Sequence, residues 1–496
     1  MSRKVMITGW GQVTQRKEAT PPYLEPIDMM ERAARDAGAL AGAGALAAVD
    51  TILVVRPQSR VPHAPGEELA RRLGITPRRV ELSGIGGQVP QQFVNRAAGM
   101  IARGEAETVL ICGAETYYPR TRDAVRGEQA LIQGIPDDYG EEDAVGSSAH
   151  EAAHGLTLPI HGFPLFEVAL WAQSGLTREA WLAKVGGMWA GFSEVAARHP
   201  NAWTRKPLSA AEITTPSADN RPIGFPYTKR MVSLVMADIG AAVILTSEAR
   251  AATSRDGAGA PVYFLGGGYA KDRQRFMVEK DDFTRSPAME AATAKAMTRA
   301  GMRAEDIEAF DLYSCFPCAV TVARRTLGLA DGDARPLTQT GGLGFFGGPG
   351  SNYALHGIAS MAETLAGGRA RSGMCTALGW FMHKYAAGIY ATRPNTVDLS
   401  PFDLDDEAHP AAGEPPVAIT EMPVGRGVIE SYTVLYDREQ RPTRALVYGR
   451  TDAGLRFVAN TRDDAASYAT LTGENQVGRG VRLAQAGGRN VAEFED

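Results

Sequence analysis

The stretch Ile101-Ala-Arg-Gly-Glu-Ala-Glu-Thr-Val-Leu-Ile-Cys-Gly-Ala114 reads as a helix end, a turn and a buried strand. A helical pattern at about Gln91–Arg103 leads into it, and the β-branched run Thr108–Cys112 ends at Gly113. A strand this continuously apolar is covered on both faces, as in an α/β layered fold. A degenerate copy lies at Leu365-Ala-Gly-Gly-Arg-Ala-Arg-Ser-Gly-Met-Cys-Thr-Ala-Leu378. One supersecondary unit written twice predicts a duplicated α/β fold with a largely parallel sheet.

Outward from this pair, short β-type runs alternate with helical patterns: Lys4–Ile7, Pro26–Ala37, Val49–Val55, Glu67–Leu73 and Arg79–Leu82. From about Tyr117 to Asn220 the rhythm loosens, and Ile239–Thr246 then has the look of a central strand. A second series follows, with strands at Val262–Leu265 and Ile307–Leu312 and helices near Pro287–Arg299, Ala319–Leu327 and Tyr353–Ala366. This assigns residues 1–255 to a first half with an inserted loop domain at about 117–220, and 256–398 to a second half. The acidic, proline-rich stretch 399–416 reads as a linker. Strand-like runs Val417–Glu421, Gly427–Leu435, Arg444–Val447 and Leu455–Ala459 predict a small antiparallel β-barrel over 417–496.

The 496 residues are 44% hydrophobic and 22% charged, which excludes a disordered or fibrous chain. A net charge of −5, with its 52 Lys and Arg dispersed, gives no attraction to nucleic acid or to anionic membranes. The basic start at Arg3-Lys4 is not followed by a signal-peptide core, because Gly9, Gly11 and Gln12 interrupt the apolar run, and no window has transmembrane length. Four cysteines suit reduced thiols rather than a disulfide scaffold, so the expected location is cytoplasmic.

Several motifs invite chemistry. His150-Glu151-Ala-Ala-His154 has zinc-site spacing, but Gly155 and Pro159 would end its helix at once, so it reads as a chance match and no metal is expected. Gly342-Leu-Gly344-Phe-Phe-Gly347 lacks the strand before it and the acidic residue after it that a dinucleotide fingerprint needs. What remains is a glycine-dense loop, Gly341–Ser351, leading into a helix: either a cradle of N–H groups for an anion or a thioester oxygen, or a tight packing turn. Tyr313-Ser-Cys315-Phe-Pro-Cys318 follows an apolar strand, where α/β folds place their chemistry, and Cys315 is its thiol of interest.

These features together resemble the thiolase superfamily across about residues 1–394. Ala97–Glu115 is similar to the segment that follows the thiolase nucleophile, and Met236–Leu245 to the strand that closes the first half. Tyr313-Ser-Cys-Phe stands where thiolases carry Asn-Glu-Ala-Phe or His-Asp-Cys-Phe, and the Thr340–Ser351 loop stands where they carry Gly-His-Pro. The resemblance implies two βαβαβ-type halves layered α-β-α-β-α. It also implies departures: the nucleophile position falls at about Gly87, the activating histidine becomes Gly348, and the Cys-x-Gly cysteine becomes Ala377. Only Cys315 survives, so an acyl-enzyme route lacks its nucleophile.

This pattern of replacement, with the added C-terminal domain, is similar to the type-1 thiolase-like proteins. The tail also resembles the OB-fold subunits of thiolase-like steroid side-chain aldolases, which use tyrosines in place of cysteine, one of them at the position of Tyr313. The resemblance implies coenzyme A thioesters as substrate, held near Gly86, Gly87, Gly347, Gly348, Ser351 and His383. Tyr313, Cys315, Tyr353 and His356 are the implied acids and bases, with a lowered phenol pKa at Tyr313. The expected activity is non-covalent carbon–carbon bond chemistry beside a thioester. The alternative is a non-catalytic acyl-CoA-binding or partner-binding module. Homodimers or tetramers are the family's usual assemblies, but Pro90 and the added domain leave the oligomeric state open.

Overall fold

The computed structural model describes residues 3–60, 63–118, 146–253 and 259–495, so residues 119–145 of the expected loop domain lie outside the described residues. The first half runs β1 (Val5–Thr14), α1 (Pro26–Ala41), β2 (Thr51–Val54), α2 (Pro65–Leu73), β3 (Arg79–Leu82), α3 (Val89–Arg103) and β4 (Thr108–Thr116). Then come α4 (Ala149–His154), α5 (Pro159–Ser174), α6 (Arg178–Arg198), α7 (Ala210–Thr214) and the short β5 (Pro222–Gly224) and β6 (Tyr227–Thr228). β7 (Asp238–Ser247) and α8 (Glu248–Ala251) precede the second half: β8 (Val262–Lys271), α9 (Pro287–Ala300), β9 (Ala309–Asp311), α10 (Pro317–Thr326), α11 (Tyr353–Ala366), β10 (Ser372–Gly379) and β11 (Lys384–Ala391).

The helix-turn-strand unit does occur twice, as α3–β4 and as α11–β10. Its strands join one nine-stranded sheet in the order β3-β2-β4-β7-β1-β8-β11-β10-β9. The expectation of a largely parallel sheet is wrong: only β2–β3, β2–β4 and β9–β10 run parallel, while β7, β1, β8 and β11 pair antiparallel through the centre. Burial on both faces, which the apolar runs did show, does not require parallel strands when helices cover both faces. α1 packs on β1, β4 and β7, and α9 on β8 and β11, whereas α3 and α11 touch strands of both halves. These contacts produce the α-β-α-β-α layering. Along β4 the side chains sort by the period of two: Val109 and Ile111 join the middle core with α3 and α11, and Leu110 and Cys112 join the outer core with α1.

β1 is longer than its apolar run predicts. A Cβ at Gly9 would lie 2.0 Å from the Ala37 carbonyl oxygen and one at Gly11 2.1 Å from that of Ala33, so these glycines let the strand press onto α1 instead of ending it.

The tail contains β12 (Gly425–Tyr436), β13 (Pro442–Thr451), β14 (Arg456–Ala459), α12 (Ala465–Thr472), β15 (Gly480–Ala486) and β16 (Arg489–Phe494). The predicted strand Val417–Glu421 is absent apart from one bridge, Ile419 to Arg456, and β15 and β16 replace it. The sheet order β14-β13-β12-β15-β16 curls until Asn460, just past β14, bridges to Val491 of β16. β5 adds to β12, and α5 packs on the same strand. One continuous core therefore runs from Phe166 and Trp181 through Phe316 and Tyr385 to Tyr432 and Leu446.

Candidate functional site

Beyond β9 the chain makes a short crossing that ends at Pro317, the first residue of α10, where its missing N–H costs nothing. Tyr313 lies in this crossing, and its N–H donates to the Thr376 hydroxyl of β10 at 2.9 Å. Gly87 lies in the turn ahead of α3. A Cβ at Gly87 would be 2.1 Å from the Tyr313 hydroxyl oxygen and 2.4 Å from the Leu378 carbonyl oxygen. The phenol hydroxyl thus fills the space that a side chain at position 87 would need. The Tyr313 ring meets Tyr353 edge to face at 5.7 Å, and the Tyr353 hydroxyl bonds to Thr340 Oγ1 at 2.6 Å. Asp311 gathers the strand side of the site, accepting from the N–H of Gln339 at 2.7 Å and the hydroxyl of Thr338 at 3.2 Å.

The Gly86 N–H donates to the Ser351 hydroxyl oxygen at 3.0 Å, and Gln58 Nε2 donates to the same oxygen at 2.7 Å. Ser351 therefore ties the turn before α3 to the glycine loop. Within that loop the packing turn prevails over the anion cradle. The N–H groups of Phe345 and Phe346 donate to the Gly342 carbonyl, that of Gly348 to the Leu234 carbonyl, and that of Leu343 to the Ser314 hydroxyl. Gly348 has no room for a histidine, since a Cβ there would lie 2.7 Å from both Leu343 Cδ2 and Ser233 Oγ. Gly347 packs against Ala237 in the same tight manner.

The expected lowering of the Tyr313 phenol pKa is overturned: burial raises it, and Cys315 adds to the shift. A desolvated phenolate costs more than the neutral phenol, so Tyr313 stays protonated and is a hydrogen-bond donor, not a resting base. Burial raises the Cys315 thiol as well, which makes it a poor nucleophile at neutral pH. Tyr353 is pushed far up by burial and by Asp311. All four cysteines are free and buried.

Two candidates do not join this group. His356, on α11, places its ring 4.9 Å from Phe346 and bonds through Nδ1 to Gln12 Oε1 at 2.8 Å. Burial pushes it down to about 3, with His199 adding to the shift. His383 lies in the turn between β10 and β11, and neither ring nitrogen has a hydrogen-bond partner. Burial holds it neutral, and Lys280, Lys384, Arg275 and Lys271 reinforce this.

Sequence reasoning missed Gln88, the residue between the Gly86-Gly87 turn and α3. Its Oε1 lies 2.0 Å from where a Cβ on Gly86 would be and 2.2 Å from one on Gly379. The side chain is 3% exposed and Oε1 has no hydrogen-bond partner. A lone glutamine beside two glycines carries little signal before the fold brings Gly379 across from it.

The zinc-like motif has a structural use. Glu151 accepts from the Val278 N–H at 2.7 Å and the Tyr448 hydroxyl at 3.0 Å, and His154 Nε2 accepts from the Asn490 N–H at 3.1 Å. α4 is thereby bound to the tail. Among the described residues no group of three His, Cys, Asp or Glu side chains is placed to hold a metal ion, and no helix is long and apolar enough to cross a membrane.

Residues 410–488 match the family model described as the thiolase-like protein type 1 additional C-terminal domain. A monomeric SCP2-thiolase-like protein type 1 from Mycobacterium smegmatis is 31% identical, with 99% of each chain covered and a TM-score of 0.81. An Ltp2–ChsH2(DUF35) aldolase shares the fold at 19% identity, covering 79% of this chain and 98% of its own, with a TM-score of 0.63. Human mitochondrial 3-ketoacyl-CoA thiolase does so at 18% identity, 79% and 99% coverage and a TM-score of 0.55. No curated protein matches in sequence.

Proposed function

The chain belongs to the type-1 SCP2-thiolase-like proteins, and from that premise we propose that it binds a coenzyme A thioester, with the thioester carbonyl beside Gly87 and Tyr313. The observation that carries this reading is the Tyr313 hydroxyl standing in the volume of the absent side chain at position 87. A buried, protonated phenol there donates a hydrogen bond to a thioester or enolate oxygen, stabilising charge that develops next to it. No covalent acyl-enzyme is needed, and the raised Cys315 thiol does not supply one. The chemistry that fits is making or breaking a carbon–carbon bond next to the thioester, with Tyr313 and Tyr353 as proton donors. Gly86, Ser351, Gly347 and Gly348 shape the walls, and Cys315 packs beside the phenol. His356 and His383 act from outside this group, as packing or charge-shaping residues.

The second reading is a non-catalytic acyl-CoA-binding or partner-binding module. The engagement of loop N–H groups with the protein's own carbonyls favours it. Calorimetric titration with coenzyme A, acetyl-, acetoacetyl- and long-chain acyl-CoA, followed by mass spectrometry, separates these readings. Thioester binding without a protein adduct is expected, and Tyr313→Phe should keep affinity while losing any turnover by about 10²-fold. An adduct on Cys315 would overturn the non-covalent reading; an absence of binding would overturn the coenzyme A reading and leave only a partner-binding module. We place the protein in the cytoplasm on the strength of its four free thiols. We take it to be monomeric, as its Mycobacterium smegmatis relative is.

A further inference from the structure

Asp311, the last residue of β9, is 1% exposed, and no Lys, Arg or His among the described residues acts on its carboxyl. A carboxylate taken out of water without a cation is costly, so such a group either keeps its proton or is surrounded by donors. Here the donors fall on one oxygen. Oδ2 accepts from the Gln339 N–H at 2.7 Å, the Thr338 hydroxyl at 3.2 Å, and the N–H and hydroxyl of Thr340 at 3.3 and 3.4 Å. Oδ1 is pressed against α11, 2.4 Å from where a Cβ on Gly357 would stand, and its hydrogen-bonding neighbour among the described residues is the Tyr353 hydroxyl at 3.4 Å. This lopsided arrangement suits a protonated acid, with a carbonyl oxygen that takes the donors and a hydroxyl oxygen that faces a group able to accept.

The elements packed on Asp311 present neutral groups. Cys375 lies opposite it on β10, its thiol pushed up by burial and by Asp311 itself. Tyr353 faces it from α11, a phenol pushed up for the same reasons. Burial raises the Asp311 carboxyl as well. Tyr353 is held in place by the Thr340 oxygen at 2.6 Å, and its ring meets Tyr313 edge to face. A continuous line of polar groups thus runs from Asp311 through Tyr353 to the phenol beside Gly87, and a buried acid with no counter-cation at the end of such a line is the kind of group that sites use to store a proton.

We propose that Asp311 holds the proton that Tyr353 delivers at the site, as a positioning residue that acts through this phenol. The inference rests on the thioester reading. When a carbon–carbon bond next to the thioester breaks, the enolate carbon takes the Tyr353 proton: a C–H bond forms with the enolate electron pair, and the enolate oxygen returns to a thioester carbonyl. The Tyr353 oxygen takes the Oδ1 proton in the same motion. The negative charge ends on Asp311, where the donors gathered on Oδ2 receive it. In the reverse direction the carbon's proton passes to Tyr353 and the phenol's proton to the empty carboxylate.

Infrared difference spectroscopy of the full chain against its Asp311→Asn variant, at neutral pH in light and heavy water, reads the stored proton. A carboxylic-acid C=O band that is present in the wild type, shifts in heavy water and is missing from the variant is expected. Proton NMR of acetyl-CoA in heavy water reads the delivery. The wild type should exchange the methyl hydrogens at a rate that rises with pH, because removing a proton from carbon needs Asp311 empty. Asp311→Asn should keep its affinity for acetyl-CoA but exchange about 10²-fold more slowly, with no dependence on pH. Tyr353→Phe should slow exchange as much, and the double variant no further, since the two residues act as a unit. Asparagine offers a carbonyl to the donors on Oδ2 and an N–H to Tyr353, so the variant is expected to fold; if it does not, the wild type minus Tyr353→Phe spectrum must show the same band displaced by the loss of its partner. The proposal is overturned if the acid band is missing from the wild type, or if Asp311→Asn leaves the exchange rate and its pH profile unchanged, as a merely structural carboxyl would. Failure of acetyl-CoA to bind overturns the thioester reading and the delivery step with it; the infrared band does not depend on that binding, which tells the two failures apart.

Discussion

At the scale of single residues, Gly87 and Tyr313 form one steric unit. A methyl at position 87 meets the phenol hydroxyl and, behind it, the Leu378 carbonyl. Gly87→Ala should therefore cost about 1–3 kcal/mol by urea denaturation, the usual penalty of overpacking. Repeating it in a Tyr313→Ala background should recover about 1 kcal/mol and no more, because the Leu378 carbonyl stays in place. An uncoupled pair would contradict the contact. For the same reason Gly87→Cys should not act as a nucleophile, and mass spectrometry after incubation with acetyl-CoA should show no acylated residue 87.

Buried histidines set a pH response. His356 titrates at about 3 and His199 at about 4, both lowered mainly by burial. In the unfolded chain each binds its proton near pH 6.5, so between pH 6.5 and 4 the unfolded state carries the extra protons and stability falls as pH falls. The slope is about 1.4 kcal/mol per pH unit for each histidine. Glu115 and Glu167, raised by burial to about 7, act in the opposite sense over much of the same range. The comparison of wild type with His356→Asn isolates one term: the variant's stability should fall less steeply below pH 6.5, by one proton. Parallel slopes would mean that His356 is not the neutral buried group described here.

At the scale of elements, α4 shows how a sequence motif and its use diverge. The Ser148 hydroxyl caps the helix and Glu151 closes the capping box, while the same carboxylate receives the Val278 N–H and the Tyr448 hydroxyl. Glu151→Ala leaves two buried donors unpaired and should lower stability by about 2–4 kcal/mol. Added zinc should leave the melting temperature unchanged, because both nitrogens of His154 are already bonded, to His150 O and to the Asn490 N–H. A zinc-dependent rise would revive the metal reading.

Elements also differ in how far they were legible. α11 is found at the predicted residues, since its apolar face and the glycines on either side are local signals. β1 outruns its apolar signal because Gly9 and Gly11 look like strand breakers until α1 lies against them. β15 and β16 leave little local signal, because each holds only one or two buried apolar residues, Val481 and Leu483 in the first and Ala492 in the second.

At the scale of the molecule, the tail is part of the main body. β12 pairs with β5, Ser431 Oγ donates to the Leu165 carbonyl at 2.6 Å, and a common core passes from the second half through α5 and α6 into the tail. One edge of the large sheet, among the described residues, is the four-residue β3, where Arg79 is exposed and Glu81 pairs with Arg96. A short, charged edge resists strand pairing with a second copy. Light scattering on the purified chain should give a mass near 52.9 kDa; a mass of twice that at micromolar concentration would show that this edge, or another face, dimerises.

Local chemistry, legible without any neighbour, accounts for the duplicated helix-turn-strand unit, the α/β alternation and the glycines at positions 87 and 348. These follow from periodicity and residue identity, which need no neighbour to be read. The direction of the central strands, the protonated state of Tyr313, the packing role of the glycine loop and the seating of the Gln88 amide against Gly86 and Gly379 come only from tertiary structure. Each depends on which distant group lies within a few ångströms, and on how much water that group excludes.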